Sequence, residues 1–153
     1  MSHRYGDERI VEWLQENGYH PRSPKHGSAA CTYLLADLAE ESEEFLEAAQ
    51  AGEIVHQKDY TVGKGQDRWN TDLVVGPPAA DPVQVPSGGD IPIAAGEPAE
   101  IWLAIDAKSV MTEHGKARRN RQRDINSFAD IMHSHYPGSV TGGLLLILVA
   151  IRN

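Results

Sequence analysis

Cysteine is nearly missing from this chain: one residue, Cys31, in 153. A lone cysteine excludes an internal disulfide and leaves the fold to packing, as in a reducing cytoplasm, which is the expected location. Aromatic residues make up only 7% of the chain. No apolar run is long enough for a membrane span, since the longest, Leu144 to Ile151, is far short of the roughly 20 residues a bilayer needs. The start, Met1-Ser2-His3-Arg4-Tyr5-Gly6-Asp7-Glu8, has no apolar segment of the kind that marks a secretory signal. Positive charge is also scarce. A net charge of -8 argues against indiscriminate binding of nucleic acid, whose affinity comes from lysines and arginines that neutralise phosphates.

What remains is ordinary in bulk, with 41% hydrophobic and 24% charged residues, enough for one domain with a real core. The expectation is a single domain over 1–153, with a helical extension over about 1–27 and a core over about 28–151. The charge is unevenly spread. Acids crowd Asp37-Leu38-Ala39-Glu40-Glu41-Ser42-Glu43-Glu44, while Lys108, Lys116, Arg118, Arg119, Arg121 and Arg123 are opposed within their span by Glu113 alone. Alone, such a basic run reads as a solvated helix face.

Periodicity predicts a first helix from about Asp7 to Asn17, stopped by Gly18, with Ile10, Val11 and Leu14 on its apolar side. A longer helix capped by Ser28 is expected to run to about Gln50, with Cys31, Leu34, Leu35, Leu38, Phe45, Leu46 and Ala49 on one face. Strands follow over about Glu53–Val62 and Arg68–Val75. The Pro/Gly-rich insertion over about 76–98 has no periodicity and reads as a long, mobile connection. A third strand over about Glu100–Ser109 precedes a basic helix over about Lys116–His135, ended by Tyr136-Pro137-Gly138. Gly142 to Ile151 then reads as a strand covered on both faces. The predicted class is α/β with a mixed central sheet flanked by helices.

Against this background three residues are out of place. Asp72 lies in Trp69-Asn70-Thr71-Asp72-Leu73-Val74-Val75, and Asp106 and Lys108 in Ile101-Trp102-Leu103-Ala104-Ile105-Asp106-Ala107-Lys108. A carboxylate in a buried strand is costly unless it is paired or bound to metal. Residues two apart on a strand share a face, so Asp106 and Lys108 project together, and a neighbouring second strand lets Asp72 face Asp106. Two acids that close repel unless a cation lies between them. Mg²⁺, for which Mn²⁺ can substitute, suits Asp72, Asp106 and the Ala107 carbonyl, because it takes oxygen ligands and retains water. Lys108 then eases formation of a hydroxide or stabilises charge on phosphoryl oxygens, the chemistry of phosphodiester hydrolysis. On the Asp-x-Lys spacing alone, a surface ion pair at a strand end is the simpler explanation.

Asp72 and Asp106-Ala107-Lys108, within the order αβββαβ, resemble the PD-(D/E)xK nuclease superfamily, the restriction-endonuclease-like fold, over about Ser28 to Ile151. Thr71 stands where the motif has its proline, and the insertion lengthens the interval between the acids. The resemblance implies that Asp72 and Asp106 bind Mg²⁺ and that Lys108 assists the attacking water. It implies a cytoplasmic endonuclease acting on DNA, of the restriction or phage-defence type. A glutamate from the preceding helix often joins such sites. Glu41, nearest the edge of the apolar stripe, is the expected one, with Glu44 second.

Similar nucleases approach substrate with the helix after the lysine, which assigns DNA contacts to His114, Lys116, Arg119, Asn120 and Arg123. Ile125, Phe128 and Met132 define that helix's apolar face. The alternatives are a non-cleaving DNA-binding or protein-interaction module on the same fold, and an RNA-directed nuclease. The stop at Ile151-Arg152-Asn153, directly after an apolar strand, carries the expectation of a longer parent protein or a partner subunit such as a second copy.

Overall fold

A computed structural model describes residues 4–18, 25–80, 84–86, 91–110 and 114–147, without the side chains of 67, 110, 114–118, 121 and 147. Helix α1 spans Gly6–Asn17, with Asp7 and Glu8 in the first turn, where they complement the helix dipole. It stops at Gly18, whose φ of 73° few other residues tolerate and whose N–H returns to the Leu14 carbonyl at 2.9 Å. Ile10 is buried, but Val11, expected beside it, is 53% exposed. The start of α1 is tied to α2 (Lys25–Glu41), with the Gly6 N–H donating to Asp37 Oδ2 at 2.8 Å and Arg9 lying over the Tyr33 ring.

The single helix expected from Ser28 to Gln50 is two. Ser42 breaks it in an extended conformation (φ -126°, ψ 110°), and its hydroxyl accepts the Phe45 N–H at 3.1 Å to cap α3, Glu43–Gln50. Ser28 lies inside α2 rather than at its start. The apolar spacing hides the break because Cys31 and Leu35 of α2 and Phe45 and Ala49 of α3 join one core.

The sheet has the order β3-β1-β2-β4-β5 and is mixed: β1 (Val55–Val62), β2 (Trp69–Gly76) and β4 (Leu103–Val110) run antiparallel in turn, and β5 (Val140–Ile147) is parallel to β4. The unforeseen member is β3 (Ala94–Ala95), parallel to β1, from the stretch expected to be a mobile connection. Ile93 and Ala94 are buried, and the His56 ring nitrogen Nδ1 lies 3.0 Å from the Ala94 carbonyl. A bridge between Pro78 and Pro98 closes this excursion, and only glycine fits at Gly76, where a side chain would run into the Glu100 carbonyl.

Two cores lie on the two faces of the sheet. Cys31, Leu35, Ala49, Leu73, Val75 and Ile105 pack under α2 and α3. Val62, Val74, Ala104, Phe128 and Met132 pack under α4 (His114–His135), with Ile125 against Gly143. The apolar face expected for the second half of α4 is therefore the one it buries. The last strand is less covered than its composition suggests. Val140 is 64% and Leu145 41% exposed, while Leu144 meets the first core, and residues 148–151 of the expected strand lie outside the described set.

Candidate active site

The site forms where the sheet comes apart. The β1–β2 ladder pairs Lys58 with Leu73 and Tyr60 with Thr71 but leaves out Asp59 and Asp72 between them. Asp59 has a φ of 54°, the only described non-glycine residue in the left-handed region. Strict alternation would put Trp69 and Leu73 on one face, yet Leu73 belongs to the core under α2 and Trp69 packs against the core under α4. The alternation therefore reverses at Asp59 and Asp72. On the other side of β2, the pairing with β4 stops at Leu73–Ile105, while β4 stays paired with β5 as far as Val110. Asp72 and Asp106 are the next pair in that register and lie where the two strands part.

Side chains take over where the ladder ends. Asp72 Oδ2 accepts the Ala107 N–H at 2.7 Å, and the buried Thr71 hydroxyl donates to the Ile105 carbonyl at 3.1 Å. Thr71, where the resembling motif has proline, thus holds β2 to β4 beside the acids.

Asp106 is 1% exposed, and neither of its carboxylate oxygens has a hydrogen-bond partner among the described residues. Lys108 Nζ lies 3.4 Å from Oδ2, close enough for attraction but outside hydrogen-bond geometry. Burial first, then the neighbouring Asp72 carboxyl, push the Asp106 pKa up to about 7, against the pull of Lys108. Lys108 is held over the Trp69 ring, 5.8 Å from its centroid, and Trp69 leans on Phe128 at 6.0 Å, so α4 props the wall behind the lysine. A buried acid with open lone pairs beside a second carboxylate can hold a divalent cation. The donor chemistry fits a hard, partly hydrated ion, because Asp72 and Asp106 offer oxygen ligands alone. Among the described residues, no group of three or more His, Cys, Asp and Glu is gathered around a metal position.

The structure thus brings Asp72, Asp106, Ala107 and Lys108 together. Glu41 it does not. That side chain is at the C-terminal end of α2, where the Tyr5 hydroxyl donates to it, while the part of α2 near Asp72 is the first half, around His26 and Thr32. From Thr32 to Glu41 is about 14 Å along a helix axis. Arg119, Asn120 and Arg123 are exposed on α4. The side chains of His114 and Lys116 lie outside the described residues.

Several residues here carried no signal that sequence reasoning used. Lys58 Nζ donates to the Ser28 carbonyl at 2.9 Å, the Ser28 hydroxyl at 2.8 Å and the Thr32 hydroxyl at 2.7 Å, and burial lowers its pKa. Lys58, Asp59 and Asp72 line one cleft with Ser28 and Thr32. The clue was Lys58-Asp59 in the middle of a strand, the same oddity that drew attention to Asp72. Cys31 is buried beneath, its thiol pushed up to about 12 by burial, which leaves it an unreactive core residue. No protein-family model, curated protein or solved structure matches the chain.

Proposed function

We propose that this chain is a Mg²⁺-dependent phosphodiester hydrolase, an endonuclease acting on DNA, with a core of the restriction-endonuclease-like kind. The observation that carries the reading is the Asp106 carboxylate, buried without a hydrogen-bond partner among the described residues, between Asp72 and Lys108 at the parting of two strands. The element sequence of helix, antiparallel strands, helix and a last strand parallel to its neighbour supports it too. No helix among the described residues is long and apolar enough to cross a membrane.

Asp72 and Asp106 would hold the cation, with Mn²⁺ able to replace Mg²⁺. When bound, Mg²⁺ supplies charge for the phosphoryl oxygens and lowers the pKa of a coordinated water. The Ala107 N–H fixes the rotamer of Asp72, and the Trp69 face keeps the Lys108 ammonium beside Asp106. From there Lys108 stabilises negative charge at the reacting phosphorus. Arg119 and Arg123, one turn apart and exposed, hold backbone phosphates, with Asn120 between them.

Supercoiled plasmid tests this directly, because it reports nicking and linearisation together. The full chain with Mg²⁺ should cut it, and Lys108→Ala and Asp106→Ala should lose cutting while keeping the wild-type circular dichroism. Wild-type cutting by either folded variant would refute the mechanism. A wild-type protein that binds DNA and never cuts would leave a binding module, and cutting confined to RNA would move the substrate class.

A further inference from the structure

The cleft on the α2 side of Asp72 has a volume of about 450 Å³ and is lined by Trp13 of α1, Lys25, Ser28 and Thr32 of α2, Lys58 and Asp59 of β1, and Asp72. That volume is in the range of small-ligand sites. Of its two lysines, Lys58 is unusual. The three Lys58 hydrogen bonds go to neutral oxygens, and among the described residues none goes to a carboxylate, so the ammonium is fixed in place without an ion-pair partner. The Thr32 hydroxyl donates back to the Ser28 carbonyl at 3.2 Å. The Ser28 hydroxyl accepts from Lys58 and keeps its own proton to donate. With all three of its N–H groups engaged, Lys58 offers a phosphoryl oxygen fixed positive charge, and the Ser28 hydroxyl beside it offers the proton.

An anion alone would use little of the cleft. Trp13, half-buried, supplies an aromatic wall, and base–aromatic stacking tolerates any base. Asp59 and Asp72 repel a phosphate from their end of the cleft and direct it toward Lys58, leaving acceptors for amino groups of a base or hydroxyls of a sugar. A concave site with one ring-sized wall admits a nucleotide that has left its stack, and a paired base inside a duplex would first have to flip.

We infer that this cleft is a subsite for one unpaired nucleotide, its base on Trp13 and its phosphate on Lys58 and Ser28, which makes single strands, frayed ends and overhangs the preferred substrate class. The inference rests on the proposed hydrolase reading, because it places that nucleotide next to Asp72.

Binding in EDTA tests it with cleavage switched off. A fluorescently labelled short single strand, the same sequence as a blunt duplex, and a duplex with an overhang are titrated with the full chain. The single strand and overhang should bind more tightly than the blunt duplex. Trp13→Leu should weaken single-strand binding by roughly 5- to 150-fold, Trp13→Phe should keep most of it, and neither should change blunt-duplex binding. Lys58→Gln, with its fold checked by circular dichroism, should reduce the slope of log affinity against log salt by about 0.7 for the single strand independently of Trp13. Preference for the blunt duplex, wild-type single-strand affinity in Trp13→Leu, or an unchanged salt slope in Lys58→Gln would overturn the subsite. Trp13-dependent single-strand binding without cleavage of any substrate in Mg²⁺ would keep the subsite and refute the hydrolase. Plasmid cutting with Trp13-independent binding would do the reverse.

Discussion

Replacing Asp106 with asparagine should make the metal-free protein more stable at neutral and alkaline pH while removing its activity. The shape is nearly kept, and the buried charge is lost. Asp106 rises from an ordinary 3.8 to about 7 on folding, chiefly through burial. At about 1.4 kcal/mol per tenfold change in acidity, that is a penalty of about 4 kcal/mol on the folded state once the group is ionised in both states. The sign follows from proton counts. Between pH 3.8 and about 7 the folded state binds more protons than the unfolded one, so stability falls as pH rises through that window and levels off above it. Below it both forms are neutral, and wild type and Asp106→Asn should be nearly equal. At pH 8 the variant should lead by up to about 4 kcal/mol, or roughly 8–16 °C in melting temperature for a chain of this size.

Urea titrations in EDTA across this range read the difference. Comparing the two proteins at each pH cancels the contribution of groups that do not interact with Asp106, such as His56, which burial holds below its ordinary 6.5 and which favours the opposite trend on acidification. Millimolar Mg²⁺ should then close the gap by stabilising only the wild type. Parallel curves at every pH, or a variant less stable at pH 8, would show that Asp106 is not the strained acid described above.

Two further outcomes follow from the fold. Ser42→Ala removes the side-chain cap of α3 and should cost about 1 kcal/mol in urea denaturation while leaving plasmid cutting at the wild-type rate. Glu41→Gln should also cut like the wild type, since Glu41 is bonded to Tyr5 at the far end of α2. A large loss of rate would place it in the site after all.

The convergence of Asp106 and Lys108 was legible because the two-residue period of a strand is local, and the adjacency of β2 and β4 then brought in Asp72. The reversal at Asp59 was not, because a left-handed aspartate and an interrupted ladder depend on how two strands pair rather than on either alone. Glu41 was misplaced for a related reason. A helical wheel gives a residue's direction around the axis, whereas reaching a site also requires the right height along it. Ser42 went unseen because the apolar spacing continues across the break, into one shared core. Strand β3 is two residues long, too short for any period to register, and the burial of Ile93 and Ala94 that fixes it arises only once β1 is in place. The exposed Arg119 and Arg123 and the buried Phe128 and Met132 follow directly from the apolar pattern of α4.

In the proposed mechanism Asp72 and Asp106 together hold a divalent cation. Titration of the metal-free protein with Mn²⁺, followed by electron paramagnetic resonance, measures it without substrate or catalysis. One tightly held ion per chain is predicted for the wild type and for Lys108→Ala, with that binding lost in Asp106→Asn and displaced by excess Mg²⁺. Wild-type protein that leaves Mn²⁺ free in solution, or Asp106→Asn that binds it unchanged, would contradict a cation site between Asp72 and Asp106.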